Sequence, residues 1–160
     1  LRGVPGIYVH SLLGSGNYFG GVKKTGQNRS INREKLDYDA VLEELNTPGT
    51  LRNRIFNGFI AMLEGRRSRK AFDPAGPMEI VKTDPRVFTV IRYSEDESEQ
   101  VICLVNVSSR IVTMELTFEL QKGPVKNIFN ELITGESMVG EVDRSSLRFQ
   151  IQPYGVYWLE

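Results

Sequence analysis

The stretch Gly3–Glu34, GVPGIYVHSLLGSGNYFGGVKKTGQNRSINRE, decides how this chain is read. Ile7-Tyr8-Val9 is a short apolar run without alternation. That pattern suits a strand covered on both faces, as in a parallel sheet. A Gly-rich polar loop follows, and it ends in a basic cluster just ahead of a helix. Strand, long loop and helix is the order in which α/β scaffolds build half of an active site. The next sixty or so residues hold no strand partner for Ile7–Val9, so the partner is expected to be distant or outside the chain. The chain begins at Leu1, almost within the strand, and what the loop works with is expected to lie upstream.

Beyond Glu34 the pattern turns helical. Asp37 is placed to cap a helix from about Tyr38 to Leu45, with Val41, Leu42 and Leu45 on one face. Thr47-Pro48 predicts a second start, a cap followed by proline at the first helical position. Leu51, Ile55, Phe59 and Met62 recur at helical spacing, widened by Phe56, Ile60 and Leu63, and predict a core-facing stripe. Arg66, Arg67, Arg69 and Lys70 form a cationic tail that complements the helix dipole and reads as a solvated face. Phe72-Asp73-Pro74-Ala75-Gly76-Pro77 marks a boundary, giving a domain of residues 1–71 and a second of residues 72–160.

The second half is all-β in pattern. Arg86–Tyr93, Gln100–Val107 and Val112–Leu120 are rich in Val, Ile, Thr and Phe, and shorter strands are predicted at Val125–Phe129, Leu147–Ile151 and Gly155–Leu159. Ser94–Glu99 reads as an acidic hairpin loop exposed to solvent, and Lys122-Gly123-Pro124 and Thr134-Gly135 read as turns. Short strands at this spacing predict an antiparallel β-sandwich.

Composition removes several classes of function. Twenty basic residues balance twenty acidic ones, which argues against a protein built to hold nucleic acid or an acidic membrane surface. No run of about 18 apolar residues offers a membrane span. The one cysteine, Cys103, lies in the apolar run VICLV and reads as a small buried hydrophobe. With no signal peptide visible, a cytoplasmic setting is expected. One histidine and one cysteine are too few for a zinc site made of such ligands, so no metal site of that kind is expected. Gly14-Ser15-Gly16 lacks the spacing and the lysine of a phosphate-binding loop, and no nucleophile elbow is present.

What remains is the loop. His10 falls at the end of the first predicted strand, where it either lines a pocket or satisfies loop backbone groups. Arg29 and Arg33 flank Asn32 in the basic cluster. Their guanidinium forks suit carboxylates, phosphates or vicinal hydroxyls, and the alternative is an exposed pair with Glu34 as local partner.

These same residues carry a resemblance. Gly3, Pro5, Tyr8, Leu12-Leu13, Asn17, Lys24-Thr25, Arg29 and Ile31-Asn32-Arg33, in that order, resemble the sucrose phosphorylase branch of glycoside hydrolase family 13, the α-amylase family. Gln152–Glu160, QPYGVYWLE, is similar to the last strand of an α-amylase-type C-terminal domain. The resemblance implies an α+β fragment: the eighth strand, its loop and the last helices of a (β/α)8 barrel, followed by the antiparallel β-sandwich. It implies a parent enzyme that cleaves an α-glucoside such as sucrose, glucosylglycerate or glucosylglycerol with phosphate, retaining configuration, to give α-glucose 1-phosphate. That chemistry needs a carboxylate nucleophile and a carboxylic acid/base, and because the carboxylates supply it the resemblance implies no metal and no organic cofactor. In the family these, and a third aspartate, come from segments upstream of Leu1, so no catalytic residue is expected here and the chain alone is expected to be inactive.

The resemblance further implies that Arg33 helps form the closed end of the glucosyl pocket, with Arg29 and Asn32 holding the loop and His10 beside it. Tyr18, His10, Ser11 and Glu34 depart from the sucrose-specific pattern and leave the acceptor open. A hydrolase or transglucosidase on the same scaffold, and a stand-alone β-sandwich that binds carbohydrate or protein, are the rival readings. The implied partners are the glucoside, phosphate and the missing N-terminal barrel portion. Cut from a barrel, residues 1 to about 30 are expected to be disordered, rearranged or buried by self-association.

Overall fold

The computed structural model describes residues 2–121 and 125–160. The expected turn at Lys122-Gly123-Pro124 lies outside the described residues. The chain divides into two compact units, Pro5–Leu63, and Glu64–Glu160 together with the first residues through Val4.

The larger unit is antiparallel β throughout. Its strands are β1 (Met78–Val81), β2 (Val87–Tyr93), β3 (Gln100–Asn106), β4 (Val112–Thr117), β5 (Ile128–Asn130), β6 (Ser137–Val139), β7 (Glu141–Asp143), β8 (Ser146–Ile151) and β9 (Val156–Leu159). One sheet runs β1-β2-β3-β9, a second β4-β8-β7, and β5 pairs β6. In β4 the buried residues are Val112, Met114 and Leu116, alternating with exposed Thr113, Glu115 and Thr117, so one face is committed to the core. Ile91, Ile102 and Leu104 of the first sheet join Met114, Leu116, Leu147, Phe149 and Ile151 of the second in one cluster, completed by Phe129 and Leu159. The Phe129 and Phe149 rings meet edge to face, centroids 5.7 Å apart.

The long strands lie where the pattern predicts them. The predicted strand Val112–Leu120 stops at Thr117, because Phe118–Leu120 tightens into a 3₁₀ turn. The strand predicted at Val125–Phe129 begins only at Ile128. β1, β6 and β7 carry no signal strong enough to predict: each has three or four residues and no full alternation. Gly140 separates β6 from β7, and a Cβ there would sit 2.9 Å from the Phe149 ring, so the backbone passes the core closely at that point. In the Ser94–Glu99 hairpin Glu95, Asp96 and Glu97 are exposed as expected, whereas Glu99 is half-buried and accepts from Ala71 N at 3.1 Å.

Two charged side chains are buried in this unit without meeting each other. Arg92 is 1% exposed; its Nε donates to Ala71 O at 3.0 Å, Nη2 donates to Asp73 O, and Nη1 has no partner among the described residues. Glu131 is 4% exposed and accepts from the backbone N–H groups of Ile133, Thr134 and Trp158 and from the Thr134 hydroxyl. Between the segments they fasten, Phe72 packs on Trp158 at 4.8 Å between centroids, over Ala71 and Val101. Cys103 packs against the same cluster, and burial pushes its thiol up to about 12. The cationic tail is tied in at two places, Arg69 to Glu160 at 2.7 Å and Lys70 to Asp96 at 2.9 Å, so it is not wholly a solvated face.

The smaller unit is helical: α1 (Val9–Leu12), α2 (Phe19–Thr25), a 3₁₀ turn at Asn28–Asn32, α3 (Tyr38–Asn46) and the start of α4 (Leu51–Arg67). The strand predicted at Ile7–Val9 does not form. Tyr8 and Val9 carbonyls instead accept from the Leu12 and Leu13 N–H groups, which satisfies locally what a strand would have to satisfy with a neighbour. Ile7, Tyr8 and Val9 are exposed.

Asp37 caps α3 as predicted, accepting from Ala40 N at 3.0 Å. The second start falls later than Thr47-Pro48. Gly49 adopts φ +87°, which no helix run from Pro48 can pass through, and Thr50 Oγ1 accepts from Asn53 N at 3.2 Å to begin α4 at Leu51. The apolar stripe of α4 is present, but no residue of that helix is fully buried, and Leu51 is 58% exposed. The core-facing helix of the sequence reading is therefore half-exposed.

Two outcomes are expected of the β unit. Glu131→Gln leaves buried N–H donors facing an amide, and urea unfolding should show a loss of about 1–3 kcal/mol. The Arg86 guanidinium on Asp84, 2.6 Å at its closest, holds that carboxyl down at about 2. A depressed carboxylate contributes stability above its unfolded value and loses it as pH falls through the folded one. The unfolding midpoint should therefore drop between the ordinary carboxylate range and about pH 2, and Asp84→Asn should flatten that part of the profile.

Candidate functional site

The residues singled out in the sequence all lie in the helical unit. Its centre is a small closed motif. The Tyr18 N–H donates to Ile31 O at 2.6 Å, bringing the entry of α2 against the 3₁₀ turn. Thr25 Oγ1 meets Ser30 Oγ at 2.7 Å and donates to Gly21 O at 2.8 Å. Gly26 at φ +65° ends α2 in the left-handed conformation that glycine adopts without strain. The stretch expected to be a long polar loop is thus two short helices and a turn, because each piece closes its own backbone hydrogen bonds. Among the described residues of this unit Gly21 alone is buried, with the Tyr18 ring lying on it.

His10 sits in α1, not at a strand end. It is half-buried; its Nδ1 lies 3.1 Å from Ser15 Oγ, and its ring is 5.3 Å from that of Tyr8. The Tyr8 hydroxyl donates to Asn32 O at 2.6 Å. His10 and Asn32 are therefore joined through Tyr8. Arg29 is exposed and donates from Nε to Gln27 Oε1 at 2.8 Å, which fixes it to its own turn. Arg33 is exposed; its N–H closes the turn on Ser30 O at 3.2 Å, and its guanidinium has no hydrogen-bond or ion-pair partner among the described residues. Glu34, the local partner that the sequence offers, does not pair with it.

The sequence reading missed Arg52. Its side chain is 15% exposed and donates from Nη1 to Leu13 O at 2.8 Å and to Ser15 Oγ at 3.2 Å, while Nε pairs with Glu44 at 2.8 Å. One signal for it was available. A cation in the first turn of a helix opposes the dipole, so an arginine there needs another partner. Gly14, at φ +63°, lies against Ile55 of α4, where a Cβ would come within 2.5 Å of Ile55 Cδ1. The turn carrying His10 and Ser15 is thus pinned by α4 through one polar and one steric contact.

Gly21→Ala tests the closed motif. The added methyl collides with the Tyr18 ring and comes within 3.2 Å of Ser30 O. Overpacking of this kind costs about 1–3 kcal/mol, so thermal unfolding should shift down, and near-ultraviolet circular dichroism should report the displaced tyrosine.

Comparison with known proteins places these elements. No family model matches the chain. The glucosylglycerate phosphorylase of Spirochaeta thermophila is 44% identical over 163 aligned positions, covering 99% of this chain and 27% of that protein. The glucosylglycerate phosphorylase of Escherichia coli is 30% identical over 158 positions, covering 99% and 26%. This chain spans about a quarter of the length of the curated relatives it matches. Among solved structures, an α-amylase of Anoxybacillus superposes with a TM-score of 0.57 at 15% identity, over 81% of this chain and 25% of that one, a likeness of fold. The resemblance to the sucrose phosphorylase branch of the α-amylase family therefore holds over the whole chain, which is homologous along 99% of its length to a portion of the glucosylglycerate phosphorylases.

Proposed function

We propose that this chain is the C-terminal portion of an α-glucosyl-transferring phosphorylase whose donor is glucosylglycerate and whose acceptor is inorganic phosphate. The observation that carries this reading is the 44% identity to the Spirochaeta thermophila enzyme across essentially the whole chain. In this reading residues 1–71 are the end of a (β/α)8 catalytic barrel and residues 72–160 its α-amylase-type β-sandwich. Support for the second assignment comes from the core shared by the two antiparallel sheets.

The reaction proceeds with retention through a covalent glucosyl carboxylate, which needs two carboxyl groups about 5 Å apart. Those groups belong to the remainder of the protein; none is assigned in this chain. The role of this chain is to border the glucosyl subsite. Arg33 presents a guanidinium fork suited to the sugar hydroxyls, and the absence of a side-chain partner among the described residues leaves that fork available. Asn32 and Arg29 hold the turn behind it, and His10 stands beside it through Tyr8. Donors fixed in this way act by orienting the glucoside for attack.

The test is made on the full-length protein carrying this sequence. Glucosylglycerate and phosphate should yield α-glucose 1-phosphate, and Arg33→Ala should lower kcat/KM about 100-fold, the loss typical of a misplaced reacting group. Release of free glucose in the presence of phosphate, or an unchanged kcat/KM in the variant, would overturn the reading.

A further inference from the structure

Histidine placed near a sugar can act as a proton carrier, a hydrogen-bond acceptor or a hydrogen-bond donor, and the tautomer decides which. The surroundings of His10 restrict the choice. Nδ1 faces Ser15 Oγ at 3.1 Å, and Nε2 has no hydrogen-bond partner among the described residues. Ser15 Oγ is also 3.2 Å from Arg52 Nη1. A guanidinium only donates, so one lone pair of the hydroxyl is already engaged. The Ser15 hydroxyl then has one proton to place, and His10 Nδ1 is the acceptor within reach. The reverse arrangement, with the proton on Nδ1, would make the hydroxyl accept twice and turn its own proton to solvent, since Ser15 is half-buried.

Arg52 does not reach Ser15 by chance. Its Nη1 also binds Leu13 O at 2.8 Å, and Glu44 forms an ion pair with the guanidinium, 2.8 Å from Nε, although the Nε–H makes no hydrogen bond among the described residues. The backbone of the same turn is closed by Ser15 N on His10 O at 2.8 Å, so the hydroxyl and the imidazole are held at a fixed separation. Gly14 packs under Ile55 and keeps the turn on α4.

We propose that Arg52 is a positioning residue that works through Ser15 to hold His10 in the tautomer with its proton on Nε2, so that the ring offers a hydrogen-bond donor to a ligand oxygen. The placement of His10 beside a sugar rests on the function proposed above. The relay from Arg52 to Ser15 to His10 rests on the geometry of this unit alone. It makes His10 a fixed donor in the neutral state, and it adds Ser15 and Arg52 to the residues that shape what the site accepts.

The relay is read by nitrogen NMR on the full-length, isotope-labelled protein, above the pH range in which an ordinary histidine titrates. The His10 signals are identified by their loss in His10→Gln. The expected result is an unprotonated Nδ1 signal and a protonated Nε2 signal, with the two drawing together in Arg52→Met and in Ser15→Ala as the tautomers mix. Ser15→Thr, which keeps the hydroxyl, should restore the separation. Ser15→Ala guards against the case in which loss of the Arg52–Glu44 pair unfolds the helical unit. A protonated Nδ1 in the native protein overturns the proposal, and so does a separation that survives in folded Ser15→Ala. Phosphorolysis by the same variants separates the two readings: displaced signals with unchanged kcat and KM leave the relay standing and remove His10 from the sugar pocket.

Discussion

The β unit is organised around two buried charges that are each neutralised by backbone groups and never by one another. Burial of an ion is expensive unless its lone pairs or protons are engaged. Arg92 engages the carbonyls of Ala71 and Asp73, and Glu131 engages the amides of Ile133, Thr134 and Trp158. Each therefore fixes a segment that has no strand of its own: the connection after α4 in one case, the turn after β5 in the other. The Phe72–Trp158 contact then closes between two segments that are already fastened. The sheets supply the area of the core, but these two side chains decide where the irregular backbone lies on it.

The helical unit obeys the opposite rule. With Gly21 its one buried residue among those described, hydrophobic burial contributes little to its internal order. Short helices are marginal in water without a packed face. What holds these is a set of specific polar ties: Tyr18 on Ile31, Thr25 on Ser30, Tyr8 on Asn32, Arg52 on Leu13 and Ser15. Such ties fix directions better than they fix stability. Apolar residues of this unit, among them Val9, Phe19 and Leu51, remain exposed beside these ties.

The same contrast explains what could be read in the sequence. β4 and β8 were legible because burial on one face writes alternation into the residues, as Val112, Met114 and Leu116 show in β4, and β2 and β3 because strands buried more fully are rich in Val, Ile, Thr and Phe. The Asp37 cap was legible because it is a local hydrogen bond. Ile7–Val9 was misread because an apolar run reports a demand for burial, not the presence of the partner that would meet it. Thr47-Pro48 was misread because the conformation of Gly49 overrides a plausible cap. β1, β6 and β7 were too short to show a period. Arg92 left no trace, because its contacts are to carbonyls 19 and 21 residues away, and the bond from Trp158 N to Glu131 spans 27 residues; the local pattern encodes neither distance, although Glu131 also closes a local turn on Ile133 and Thr134.

For the candidate site, His10, Arg29, Asn32 and Arg33 could be selected as residue types, and the structure joins His10 to Asn32 through Tyr8. Their geometry was not accessible, because it is set by Tyr8, Ser15 and Arg52, residues with no evident chemistry of their own. Fold likeness does not supply it either. An architecture shared at 15% identity is a likeness of fold, and one fold hosts many activities. The discriminating information is one layer further out, in which side chain holds the loop and which proton it fixes. A serine between an arginine that can only donate and a histidine that can do either converts a flexible functional group into a committed one. Specificity for an oxygen-rich ligand can thus be set by a residue on α4 that need never touch it.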